Sequence, residues 1–194
     1  METSSRILSL AAFEDGLLKA ELFEPAVMRQ NEALAPLAQK IMASLGWKAS
    51  EINAIAVSQG PGSFAGLRSG LAFAKGLSFA NGALVVGVPT LEAWAETDPT
   101  AEVWLDARRG LVYRRNPGGE ADMLPLEEAK MALKPGQKVL GDITDPESRL
   151  AASAVGRLAL RRLAAGEKDD PSLIEPIYLR RPEAEILWEK RHGA

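Results

Sequence analysis

Residues 54–81 read AIAVSQGPGSFAGLRSGLAFAKGLSFAN, and the order of residue types along them decides the fold. The stretch opens with Ala54, Ile55, Ala56 and Val57, an apolar run that reads as a buried strand. It breaks at Gln59-Gly60-Pro61-Gly62-Ser63-Phe64-Ala65-Gly66. It resumes with Leu67, Leu71, Ala74, Leu77 and Ser78 at near-helical spacing and ends at Asn81-Gly82, a C-cap pair. Strand, glycine-rich turn and helix together aim backbone N–H groups and a positive helix end at one spot. The common phosphate cradles do not match. A Walker A loop places Lys-Ser/Thr after its last glycine, whereas Gly66 is followed by Leu67-Arg68. A dinucleotide fingerprint is one residue shorter than Gly60, Gly62, Gly66. Three readings stay open: a tight turn for close helix–strand packing, a nucleotide site, or a partner surface.

Around this stretch, residues 6–13 and 17–23 read as strands joined by Asp15-Gly16, a hairpin signal. Residues 31–45 form a helix with Leu34, Leu37, Ala38, Ile41 and Leu45 on one face, stopped by Gly46. Residues 83–88 are a further buried strand, and Thr90 is the expected N-cap of a short helix through Trp94. Beyond a boundary expected at residues 97–100, strands at 102–107 and 111–116 precede a short helix at 125–133, a strand at 138–140 and a helix at about 146–165. Residues 174–179 are extended, and 183–190 a last short helix. Hairpin strands followed by strands alternating with helices, twice over, predict an α/β protein of two mixed lobes, residues 1–98 and 99–194.

Composition narrows the function. The 194 residues are 46% hydrophobic and 25% charged, as in an ordinary globular protein that can bury a proper core. With 23 basic and 26 acidic residues the net charge is −3, which disfavours a stand-alone nucleic-acid binder. There is no cysteine, and the single histidine is His192, so thiolate sites, histidine triads and multi-histidine metal sites lack their residues. No apolar run approaches the ~18–20 residues of a membrane span, and a soluble cytoplasmic protein is expected.

Taken residue by residue, Gly60-Pro61-Gly62-Ser63-Phe64-Ala65-Gly66-Leu67-Arg68-Ser69-Gly70-Leu71, continuing to Ala74-Lys75-Gly76-Leu77, resembles the GPGSFTGLRIG signature of the bacterial TsaB (YeaZ) family. Ala65 stands where the family usually has threonine, and Ser69 where it has isoleucine. Gly87-Val88-Pro89-Thr90-Leu91, Leu105-Asp106-Ala107-Arg108-Arg109 with Val112-Tyr113, and Pro176-Ile177-Tyr178-Leu179-Arg180 follow in the family's order. The resemblance covers roughly residues 32–180.

That resemblance implies a two-lobed actin/Hsp70/sugar-kinase-like (ASKHA) fold with a degenerate second lobe. It also implies a non-catalytic subunit in making N6-threonylcarbamoyladenosine at position 37 of tRNA. In that pathway the paralogue TsaD carries the metal and transfers the threonylcarbamoyl group, and the ATPase TsaE joins the assembly. This chain would then hold no cofactor of its own, ATP/ADP and metal belonging to the partner subunits, and would meet tRNA only through the complex. Family members run LALDTS from the first strand into a turn before the second. Here Leu8-Ser9-Leu10 passes through Ala11-Ala12-Phe13 to Glu14-Asp15-Gly16, which reads as a deletion of about nine residues, a shortened N-terminal hairpin region without its first phosphate-binding turn.

The family packs the two helices of the first half on TsaD, or on a second copy, as a four-helix bundle. Leu34, Leu37, Ile41, Phe64, Leu67, Arg68, Gly70, Leu71, Ala74, Leu77 and Ser78 are the partner-binding residues this implies. Gly60, Pro61, Gly62, Ser63, Gly66, Asp106, Arg108, Tyr178 and Arg180 are the motif residues. Arg68 meets an unfavourable helix dipole and calls for a particular partner or an internal ion pair. Asp106 with Arg108 and Arg109 reads first as a structural ion pair and second as a partner or tRNA contact. Arg157, Arg161 and Arg162 read as a solvated helix face, Trp47, Trp94 and Trp104 as core, and Trp188 as needing a docking surface. Ser63 has no histidine to activate it. Rival readings are a nucleotide-binding regulatory subunit and a peptidase-like protein of the same fold.

Overall fold

Alternating apolar residues set the first two strands. In the computed structural model, which describes residues 1–25, 29–180 and 188, β1 (Ile7–Glu14) buries Leu8, Leu10 and Ala12. It turns through Asp15 and Gly16, both at positive φ as a two-residue hairpin turn demands, and pairs antiparallel with β2 (Leu17–Pro25). α1 (Gln30–Leu45) lays Leu34, Leu37 and Ile41 on this hairpin and ends at left-handed Gly46. β3 (Ala54–Gly60), α2 (Phe64–Asn81) and β4 (Leu84–Pro89) follow, the two strands parallel and joined by the helix. α3 (Thr90–Ala95) leads to β5 (Glu102–Asp106), β6 (Leu111–Arg115), β7 (Ala121–Pro125), α4 (Leu126–Ala132) and β8 (Val139–Leu140). These four strands form one sheet in the order β7-β6-β5-β8, with β8 parallel to β5. α5 (Ala152–Ala164) packs across β1, β3 and β4.

The largest core joins Val86, Val88, Leu91 and Trp94 to Val103, Leu105, Leu150 and Val155. Trp104 is buried beside Val112 and Ala129, and Trp47 is half-buried against the α1 cluster, so the three tryptophans sit as expected.

Four sequence expectations change. The hairpin is complete, at 8 and 9 residues, and residues 1–5 make a buried turn ahead of it, so the N-terminal region is not shortened within the hairpin. β7 was not anticipated, because its residues Ala-Asp-Met-Leu-Pro lack a buried stripe and it pairs only at the sheet edge. α5 starts at Ala152 rather than about 146. Its first amides are satisfied from the hairpin: Ala152 N donates to Ser9 Oγ at 3.0 Å and Ser153 N to Glu21 Oε1 at 2.7 Å. Arg161 and Arg162 are tied rather than merely solvated, since Arg161 pairs with Glu96 in two bonds and Arg162 reaches Glu167 and the carbonyl of Gly87. The helix expected at 183–190 lies outside the described residues apart from Trp188, which is exposed, and His192 lies outside them too.

Candidate functional site

The glycine loop is built around the first residues of the chain. Ser63 caps α2, its Oγ accepting from Gly66 N at 3.3 Å, and its own N donates to the carbonyl of Ser4 at 2.7 Å. A Cβ on Gly62 would lie 2.6 Å from Ser4 Cβ, and one on Gly66 would overlap the carbonyl oxygen of Thr3. Gly70, one turn on, faces the Thr3 side chain. Gly62, Gly66 and Gly70 thus clear a groove along the start of α2, and residues 3–4 lie in it. The loop's tight geometry serves close packing, and the N–H of Ser63 and Gly66 are already bonded within the chain.

The segment before β1 is anchored to β3 as well. The amine of Met1 donates to Ala56 O at 2.6 Å, Ser58 N to Met1 O at 3.0 Å, and Thr3 N to Ser58 Oγ at 3.1 Å. Glu2 is buried, with Ser4 N and Oγ both donating to its Oε1 at 2.5 Å. Burial raises the Glu2 carboxyl above the usual carboxylate range, and burial lowers the Met1 amine from 8.0 to about 6.

This amine makes stability depend on pH in a definite direction. Its folded value lies below its unfolded one, so its contribution is complete above pH 8 and is lost as pH falls towards 6. The Glu2 carboxyl, shifted the other way, gains stability as pH falls through its raised value and so acts in the opposite direction. A Glu2→Gln chain is therefore expected to lose roughly 2–3 kcal/mol between pH 8 and pH 6, read by denaturant midpoints, and an amine-acetylated Glu2→Gln chain to lose none of that increment. Equal pH profiles for the two would show that the amine is solvated.

Residues 174–180 close the other side of the loop. Ile177 N donates to Gln59 O and Gln59 Nε2 to Glu175 O, each at 2.7 Å. Tyr178 stacks on Phe64 with centroids 4.8 Å apart, and Arg68 sits over the same ring at 4.0 Å while its Nε donates to Tyr178 Oη at 3.2 Å. Arg68 thus has its particular partner within the chain, a cation–π and hydrogen-bond clamp that no sequence spacing announced. Arg180 Nη1 donates to Ala107 O at 2.7 Å, fastening the segment to the end of β5. There Asp106 pairs with Arg108 at 2.9 Å, and its N donates to Asp142 Oδ1 at 2.8 Å, while burial pushes the Asp142 carboxyl up. The structural ion-pair reading of Asp106 fits this geometry.

The partner-binding set is redistributed. Leu34, Leu37, Ile41, Leu67, Gly70, Leu71, Ala74 and Ser78 are buried within the chain itself, and Leu77 is half-buried against the β3 core. Their faces of α1 and α2 are spent on the hairpin and on β3. Of the expected set Phe64 and Arg68 are exposed. The exposed face of α2 instead carries Ala65, Ala72, Gly76, Phe79 and Ala80, with Phe79 at 71% exposure. Sequence reading missed them because α2 is apolar all round; their i, i+4 recurrence of small residues was the available signal.

Among the described residues no helix is long and apolar enough to cross a membrane. The family model described as "TsaD: tRNA N6-adenosine threonylcarbamoyltransferase" matches residues 24–125. The tRNA threonylcarbamoyladenosine biosynthesis protein TsaB of Escherichia coli (strain K12) is 28% identical, covering 100% of this chain and 97% of that protein. An uncharacterized protein of Mycobacterium tuberculosis (strain ATCC 25618 / H37Rv) is 32% identical over 80% of this chain and 77% of its own length. The solved structure of YeaZ from Pseudomonas aeruginosa superposes with a TM-score of 0.77 at 22% identity, covering 92% of this chain and 97% of that one, which shows a shared fold.

Proposed function

The chain belongs to the bacterial TsaB (YeaZ) family, and from that premise we propose that it acts as the non-catalytic subunit that binds and steadies the TsaD threonylcarbamoyltransferase in the cytoplasm. The family works in tRNA threonylcarbamoyladenosine biosynthesis. In this proposal the two halves, 1–98 and 99–194, are the lobes of an actin/Hsp70/sugar-kinase-like fold, the second degenerate. Nucleotide and metal are supplied by the partner subunits, TsaE joins through the complex, and the same helices pair two copies when the partner is absent.

The observation that carries the reading is the exposed face of α2. Small residues at Ala65, Ala72 and Gly76 let a partner helix approach closely, and the exposed Phe79 stands ready to be covered. A nucleotide in the glycine loop has less support, because residues 3–4 fill the groove above Gly62 and Gly66 and the N–H groups of Ser63 and Gly66 are bonded to Ser4 and Ser63.

Light scattering after size exclusion, with the TsaD of the same organism, tests the proposal. Wild type is expected to form a mixed complex, and Ala72→Arg to weaken it about 100-fold or more while keeping the wild-type melting point. Undiminished binding by the variant would place the interface elsewhere. Failure of wild type to bind would remove the subunit role.

A further inference from the structure

Between β1 and β3 lies a cavity of about 550 Å³, and its walls are two strand edges. β1 is bonded to β2 on one side, and β3 to β4 on one side, so the protein holds two separate two-stranded sheets where one continuous sheet would fit. At one end the gap is already bridged. Glu2 and Ser9 exchange both backbone bonds, at 2.8 and 3.0 Å, as an antiparallel pair. Met1 sits opposite Val57 in parallel register, its N donating to Ala56 O and its O accepting from Ser58 N. Residues 1–2 therefore form the last rung of a strand between β1 and β3.

Continuing that register backwards from Met1 fixes every next bond. The residue before Met1 falls opposite Ala11 of β1, two beyond Ser9 on the same edge. The residue before that would donate to Ala54 O and accept from Ala56 N on β3. About five residues at roughly 3.3 Å each then reach Glu14 on one edge and Asn53 on the other. Leu10 to Asp15 and Ile52 to Ala56 are the residues that line the cavity on its two edges.

Its two faces are apolar as well. Ala38, Ile41, Phe73 and Leu77 cover one, from α1 and α2, and α5 covers the other with Gly156 and Ala159. Side-chain alternation follows from the existing rung: Ser9 bonds the start of α5, so Glu2 and alternate residues before it face α5, while Met1 and its alternates face α1 and α2. The amine of Met1 sits half-buried at the mouth of this space with Ala56 O as its acceptor, a place suited to a peptide nitrogen rather than an ammonium group.

We propose that the cavity is an acceptor for one extended β-strand, apolar on both faces, parallel to β3 and antiparallel to β1, formed by polypeptide joined to the nitrogen of Met1. Large aliphatic residues face α1 and α2, and small ones face α5. The filled slot merges the two sheets into one of order β2-β1-strand-β3-β4. A free end of a separate peptide is a poorer fit, because the register runs straight into the Met1 nitrogen and leaves no room for a second terminus beside it.

The test compares full-length chains carrying N-terminal extensions before Met1. One is Met-Ile-Leu-Ala-Leu-Ala, one is Met-Gly-Ser-Gly-Ser-Gly, and one is Met-Ile-Leu-Ala-Pro-Ala, whose proline removes the donor to Ala54 O. The apolar extension is expected to melt about 10 °C or more above the Gly-Ser chain, with amides of Ala11 and Ala56 exchanging at least about 100-fold more slowly. The proline chain is expected to lose most of that gain. No difference between the apolar and Gly-Ser chains, or an unimpaired proline chain, overturns the acceptor. If an acetylated, amidated Ile-Leu-Ala-Leu-Ala peptide added to the unextended chain reproduces the whole shift, the strand comes from a separate chain and the covalent source is overturned.

Discussion

A single methyl group at Gly66 is expected to lower the melting temperature by about 10 °C or to prevent soluble expression. The Cβ of Gly66→Ala would coincide with the carbonyl oxygen of Thr3, which is backbone and cannot rotate aside. Thr3 is also fully buried and fastened to Ser58, so the clash spreads to β3 or pushes α2 off its strand. Overpacking of this kind costs about 3 kcal/mol or more when the neighbour is rigid. The same helix contains its own control. Gly76→Ala meets nothing within 4 Å and is expected to gain about 0.5–1 kcal/mol, because alanine is the better helix residue. Paired thermal melts decide: if Gly66→Ala melts with wild type, residues 3–4 do not occupy the groove.

Glutamate at Leu71 or Ala74 is expected to abolish folding altogether. Leu71 is 3% exposed and Ala74 not at all, both inside the cluster of Ile55, Val57 and Val85. An unpaired carboxylate there costs several kcal/mol, set against a total stability on the order of 5–15 kcal/mol. Far-UV circular dichroism of either variant should lack a cooperative melt, and any loss of TsaD binding would then report unfolding. Ala72→Arg, one residue along but exposed, should keep the melt. A folded Ala74→Glu chain would mean that α2 turns a different face to its sheet.

Much of this was legible. The strand at Ala54, the α2 stop at Gly82, the hairpin at Asp15-Gly16 and the Gly46 stop all follow from local residue chemistry, and the structure has them in place. Which face of α2 is buried was not legible, because Leu67, Leu71, Phe73 and Phe79 spread apolar surface round the helix and only the position of β3 chooses among them. The Arg68–Phe64–Tyr178 clamp spans 110 residues and leaves no periodic trace. The buried turn at the beginning of the chain was not legible for a related reason. Glu-Thr-Ser-Ser is polar and carries no apolar pattern, yet its fit to Gly62, Gly66 and Gly70 buries residues 2–4. Glycines at every fourth position were the complementary mark, visible only once the turn lay against them.

The fastening of Ser9 to Ala152, 143 residues apart, bears on the order of events during synthesis. At ribosomal speeds of about 5–20 residues per second, β1 leaves the exit tunnel roughly 7–30 s before its partner on α5 exists. Met1 itself waits for Ala56, 55 residues behind it. The hairpin therefore emerges early with one edge open and completes its packing only when translation is nearly over, an interval in which a nascent-chain chaperone has its natural target.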